Sequence, residues 1–187
     1  MLCRMWQRLS KSYPLQLEVI PLFLVFLGFY LAMSNYGSLP DRIPTHFGIQ
    51  GAPDGWENKS EIYVSPTIGA FVYVMFGVIM ALFAAVKDPM KLINLPQKRK
   101  AALTEAQAEE LRLFVLRALL VMKLCMMGLT TYLTYNTIQV AMEREPGLGA
   151  PFFVFTAGIL VAAGAMTWKS LKIAGSKPQG PSPDFFR

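Results

Sequence analysis

Residues 15–60 read LQLEVIPLFLVFLGFYLAMSNYGSLPDRIPTHFGIQGAPDGWENKS, an apolar run that passes abruptly into a polar, turn-rich island. From Leu15 to Ser34 the run holds about 20 residues, or about 30 Å of helix, which matches the hydrocarbon core of a bilayer. A cleaved signal peptide is the rival reading, because Ala32-Met33-Ser34 sets small residues at cleavage offsets. Its apolar core would be too long, so a retained span is expected. The island itself, Leu39 to Ser60, contains the sole histidine, His46. Pro40, Pro44 and Pro53 each fix φ near roughly −65°, and the first two push Leu39 and Ile43 toward extended conformations. An ordered, extended strap is therefore expected. The chain should reverse at Ala52-Pro53-Asp54-Gly55, where proline and glycine hold the turn positions they favour.

Three further apolar stretches follow. Pro66 to Val86 is the second expected span, with Gly77, Ala81 and Ala85 four apart on one face; Gly28 with Ala32 is a shorter version in the first. Small residues at that spacing allow close helix packing, as they do for Gly158, Ala162 and Ala165 in the fourth span, Phe152 to Trp168. The third span, Leu116 to Tyr135, belongs to a longer helix. Thr104 and Gln107 form a capping box, and Glu105, Glu109 and Glu110 suit the positive end of a helix dipole. That helix is expected to start near Glu105 and run to about Tyr135, about 46 Å, with its first two turns outside the membrane.

Lys123 lies inside this third span, where an unpaired lysine costs on the order of 3 kcal/mol. Counted from Tyr135, it is about 18 Å from the outer face and about 12 Å from the inner one, so snorkelling alone is incomplete. Thr130, Thr131 and Thr134 open the polar side of the helix toward the island. Arg117 reads as a boundary anchor with which Glu18 could pair. Glu18 and Pro21 otherwise read as an interfacial charge and a tolerated kink. Asn136 to Pro151 is expected to be a short outer loop.

The chain of 187 residues is 53% hydrophobic and 16% charged, and its mean hydropathy is +0.38. Soluble domains are not composed in this way. The net charge of +6 does not point to nucleic acid, because it sits in short tracts beside apolar helices. The N-terminus, residues 87–112 and the tail carry three, six and four positive residues, against two in the island and one in the last loop. The positive-inside rule then places both termini in the cytoplasm and the island outside. Cys3 and Cys125 suit no disulfide, and one histidine supplies no metal spacing. The expected architecture is an all-α integral membrane protein of four transmembrane helices, N-in and C-in, with an ordered extracytoplasmic loop. Its parts are a cytoplasmic N-terminus (1–14), helix 1, the outer loop (35–63) and helix 2 (15–86), a basic loop (87–104), helices 3 and 4 (105–168), and a disordered tail (169–187). No second copy of the island occurs, so an inverted-repeat transporter is not expected.

The pattern Leu-Pro-Asp-Arg-Ile-Pro-Thr-His-Phe, then Gly51, Asp54-Gly55-Trp56 and Lys59, resembles the signature of a bacterial membrane domain of unknown function found in the SdpI immunity protein family. The resemblance covers roughly residues 20 to 85. It implies a multi-span protein of a bacterial inner membrane. It also implies a role in protection against a secreted toxic peptide, with signalling through a cytosolic repressor as a second role. SdpI and its longer relatives carry additional spans, so the fold transfers more readily than the role.

Read without that resemblance, the island offers Asp41, Arg42, His46, Phe47, Asp54, Trp56 and Lys59 as ligand- or partner-binding candidates. His46 could act as an acid–base group or pH sensor oriented by Asp41, Asp54 or Glu57. The blander reading, in which His46 and Asp54 tie the loop together by hydrogen bonds, is preferred. Phe47 and Trp56 suit the headgroup region, or a platform for an amphipathic peptide. No nucleophile–base pair, metalloprotease motif or phosphate loop is present, so neither catalysis nor a cofactor is expected. The expected partners are the lipid bilayer, a secreted peptide or other membrane subunits on the outer side, and a cytosolic protein at the basic loop. The leading expectation is a protein of recognition or protection. The alternative is an accessory subunit whose Lys123 pairs with a partner helix, and a small transporter ranks last.

Overall fold

A computed structural model describes residues 15–86, 88, 90 and 104–175. The basic N-terminus, most of the basic loop, and residues 176–187 of the tail expected to be disordered lie outside the described residues. Among the described residues four helices are long and apolar enough to cross a membrane. They are α1 (Val19–Asn35), α2 (Val64–Ala85), α3 (Glu105–Ala141) and α4 (Ala150–Gly175).

Each helix begins where its sequence allows. A 3-10 turn, Leu15–Glu18, leads into α1. Pro21 falls in the first α-helical turn, where backbone N–H groups lack intrahelical acceptors, so it starts the helix at no cost rather than kinking it midway. Pro66 holds the equivalent place in α2. The capping box of α3 is complete: Gln107 N–H donates to Thr104 Oγ1 at 3.2 Å, and Thr104 N–H donates to Gln107 Oε1 at 3.0 Å. At the far end α3 stops in a Schellman turn, with Arg144 N–H donating to Gln139 O and Glu143 N–H to Val140 O.

α3 is longer than expected. It continues six residues past Tyr135 and spans 37 residues, about 55 Å. Ile138 and Ala141 are buried in a cluster with Ala32, Leu39, Ile43 and Ile62, which gives this extra turn a packing partner that its own sequence does not reveal. The loop that follows shrinks to residues 142–149, and α4 exceeds the expected Phe152–Trp168 at both ends.

α3 is also the axis of the bundle. It packs against α1, α2 and α4 and reaches the strands beyond them, whereas α4 rests chiefly on α3. The buried face of α2 runs Pro66, Gly69, Val72, Phe76, Met80, Ala84. This corrects the small-residue face expected at Gly77, Ala81 and Ala85: the close approach occurs at Gly69, against Thr130, and Ala85 is exposed. Gly28 and Ala32 are buried as expected, and Ala162 is the buried member of the α4 set. Phe23, Phe26, Phe71, Leu160 and Val161 face outward on α1, α2 and α4, which suits lipid rather than water.

The island is not an all-coil loop. It forms an antiparallel hairpin of β1 (Arg42–Phe47) and β2 (Pro53–Asn58), so the fold is helical with a two-stranded sheet at one end.

Candidate functional site

The hairpin turns earlier than its sequence suggests. Gly51 N–H donates to Gly48 O at 2.8 Å and Gly48 N–H to Ala52 O at 2.9 Å, so residues 48–51 make the reversal. Gly51 has φ +81°, the left-handed region that glycine enters without strain. The expected turn at Ala52-Pro53-Asp54-Gly55 is therefore displaced, and Pro53, Asp54 and Gly55 become strand residues. Proline is tolerated at Pro53 because it opens the strand and donates no ladder bond. The ladder shifts register between Pro44 and His46 and again between His46 and Phe47.

Most of the polar candidates face one another across this hairpin. The His46 ring Nδ1 pairs with Asp54 Oδ1, at side chains 74% and 52% exposed. Lys59 Nζ meets Asp41 Oδ1 at 3.1 Å, and the Arg42 guanidinium donates to the Trp56 carbonyl. Such exposed pairs contribute little stability each, typically about 0.2–1 kcal/mol. Together they close the strand ends and the tip. Trp56 remains 38% exposed, and Glu57 and Glu61 are exposed with no ion pair among the described residues.

The hairpin does not stand alone. Leu148 N–H donates to Gly51 O at 2.8 Å, joining its tip to the α3–α4 connection. Asn136 Nδ2 donates to Gly147 O at 3.2 Å, and the Tyr132 hydroxyl donates to Asn136 Oδ1 at 2.9 Å and accepts from Gly149 N–H at 2.9 Å. Asn136 is 2% exposed, so this clasp satisfies an amide that would otherwise be buried at a cost. The contact is tight: a Cβ on Gly147 would lie 2.2 Å from Gly51 O. Sequence reading missed these residues. The one available signal was Tyr132 and Asn136 four apart, a polar pair on one face of an apolar helix.

Beneath β1 lies a groove of about 250 Å³ between the hairpin, the start of α2, and α3. Ile43, Phe47, Ile62, Ile68 and Leu133 supply an apolar wall, and Thr45, Ser65, Thr130, Thr134 and Thr137 add hydroxyl-bearing residues. Phe47 thus lines a groove as well as lying on the strand. The hydroxyls of Thr130 and Thr134 donate to Met127 O and Thr130 O, and Ser65 Oγ donates to Thr130 O. Thr131 donates across to Leu24 O on α1 at 2.8 Å. These groups serve helix packing and make no continuous polar path to Lys123, because Met127 lies between them, fully buried.

Lys123 has its partner within the chain. Its Nζ lies 2.6 Å from Glu18 Oε2 and 3.7 Å from the Tyr73 ring centroid, and Tyr73 hydrogen-bonds to Glu18. One lysine on α3 thereby joins the start of α1 to the middle of α2. Lys123 is 1% exposed and Glu18 21%, so the charge is paired at the edge of the bundle where Glu18 begins α1. Along α3, Lys123 lies about 27 Å from the hairpin-side end of the helix at Ala141. Glu18, which could have paired with Arg117, is taken by Lys123 instead, and Arg117 is exposed.

Among the described residues no cluster of histidine, cysteine or carboxylates could hold a metal ion. The fold and site together define a multi-pass α-helical membrane protein that carries a clasped β-hairpin on one face. Residues 23–70, covering most of α1, the whole hairpin and the start of α2, match the family described as a domain of unknown function, DUF1648. A protein of Archaeoglobus fulgidus, described as uncharacterized, is 30% identical over 83 residues, which is 44% of this chain and 44% of that protein. The chain thus matches less than half the length of that relative. No solved structure matches.

Proposed function

We propose that this chain is an SdpI-like recognition or protection protein of a bacterial cytoplasmic membrane, whose hairpin and the groove beneath it bind a peptide, lipid or membrane partner on the outer side. The observation that carries the reading is the clasp. A short hairpin in isolation is marginal, yet this one is fixed at its tip by Leu148 and at its base by Ile43, while Trp56, Glu57 and Ile49 are left outside the packing. A rigid platform with unspent aromatic and acidic groups suits binding better than anchoring. The outward orientation is supported by the excess of lysine and arginine at the N-terminus, in the middle loop and in the tail. A cytosolic partner at the basic loop belongs to the same proposal. The alternative of an accessory subunit rested on a lysine in search of a partner helix, and Lys123 is paired within the chain.

The test is the membrane potential of cells challenged with an amphipathic pore-forming peptide, with and without the protein. The wild type should protect, and His46→Ala should remove protection at unchanged membrane abundance, because its exposed pair with Asp54 contributes no more than about 1 kcal/mol. Equal loss of potential with and without well-inserted wild-type protein would overturn the proposal.

A further inference from the structure

A second groove, of about 500 Å³, lies at the end of the bundle opposite the hairpin, between the first turns of α3 and the last turns of α4. Its depth follows from helix geometry. Trp168 and Lys172 are about 27 and 33 Å along α4 from Ala150, so they stand where the hydrocarbon of a bilayer ends and its headgroups begin. The wall on the membrane side is apolar, built by Phe114, Ala165 and Trp168.

Its charges are not equivalent. Lys169 is committed: Nζ lies 2.7 Å from Glu110 Oε1 and 4.5 Å from the Phe114 ring centroid, which holds the two helices together. Glu110 is thereby neutralised. Lys172, one turn further and exposed, has no partner among the described residues, and it leaves the groove with one surplus positive charge. Trp168 is 73% exposed beside it, an indole at interfacial depth. A free cation, an interfacial tryptophan and an apolar slot running toward the membrane core fit a molecule that is anionic at one end and apolar at the other.

We infer that this groove binds an anionic phospholipid, with the phosphate at Lys172 and the top of one acyl chain along Phe114 and Ala165. The site is independent of the hairpin and of the function proposed for it. Basic pockets between helices at a membrane surface commonly hold anionic headgroups. Here the committed Lys169–Glu110 pair shapes the groove, and Lys172 selects the charge.

The experiment uses the full chain purified in a neutral detergent, with phosphatidylglycerol, phosphatidylcholine or inorganic phosphate added separately. Bound lipid is counted by native mass spectrometry and thermal unfolding is followed in parallel. Phosphatidylglycerol should be retained and should raise the melting temperature above the phosphatidylcholine value. Lys172→Gln should lower the preference for phosphatidylglycerol about fivefold, the effect of one lysine at a charged interface. Trp168→Ala should weaken retention of both lipids, and Arg144→Gln, at the hairpin end, should change nothing. Equal retention of the two lipids, an unaltered preference in Lys172→Gln, or an equal loss in Arg144→Gln would overturn the inference. So would inorganic phosphate matching the lipid, which would mark a free-anion site instead.

Discussion

At the scale of single residues, the costliest group in the protein is Lys123, and its cost is met by Glu18, 105 residues earlier in the chain. Removing one partner of a buried pair leaves the other uncompensated, whereas removing both leaves only a packing change. Glu18→Ala, which strands an ammonium that is 1% exposed, should therefore lower stability by about 3 kcal/mol. The double variant Glu18→Ala/Lys123→Met should recover to within about 1 kcal/mol of the wild type. Unfolding in a mild detergent measures both, and losses that simply add in the double variant would sink the idea of a coupled pair. That a lysine in this span needed a partner was legible in the sequence. Which acid met it was not, because the sequence set Glu18 beside Arg117, six residues before Lys123 on α3. Those positions lie about 120° apart around a helix, so only the packing of α1 against α3 decides between them. Lys123 faces α1, and Arg117 is exposed.

Among the elements, helices were easier to read than strands for a physical reason. Apolar runs of bilayer length carry their signal residue by residue, and the Thr104–Gln107 box marks the start of α3 from side chains that act locally. β1 and β2 carry no such signal. Pro44, Pro53 and Gly55 break any alternation, and the strands hold because the α3–α4 connection grips their turn. The same dependence hid the end of α3: Ile138 and Ala141 are buried in one cluster with Ile43 of the hairpin and Leu39 just before it. The clasp is thus the feature to perturb. Gly147→Ala sets a methyl where Gly51 O stands, and backbone cannot yield as a flexible side chain does. The tip should detach while the bundle stays intact. Amide hydrogens at Gly48 and Gly51 should lose roughly 1–3 kcal/mol of protection with helix amides unchanged, as hydrogen exchange would register. Unaltered exchange at the tip would show that the hairpin is ordered without the α3–α4 connection.

On the scale of the whole molecule, the hairpin and the second groove lie at opposite ends of the α3 axis, separated by the length of a bilayer. Any account of function thus turns on which end meets the cytoplasm. Charge counting assigns the hairpin to the outside, and the pair of groups that would probe it are both free of packing: Ile49 is fully exposed at the hairpin tip, and Lys172 is exposed at the other end. In a background of Cys3→Ser and Cys125→Ala, Ile49→Cys should react with a membrane-impermeant maleimide in intact cells. Lys172→Cys should react only after the membrane is opened. Labelling in the reverse sense would turn the molecule over, move the hairpin into the cytoplasm and remove the basis for recognising anything secreted. Labelling as expected would leave the hairpin where an external ligand can reach it and assign the Lys172 groove to the inner leaflet, where anionic lipid lends a negative surface potential.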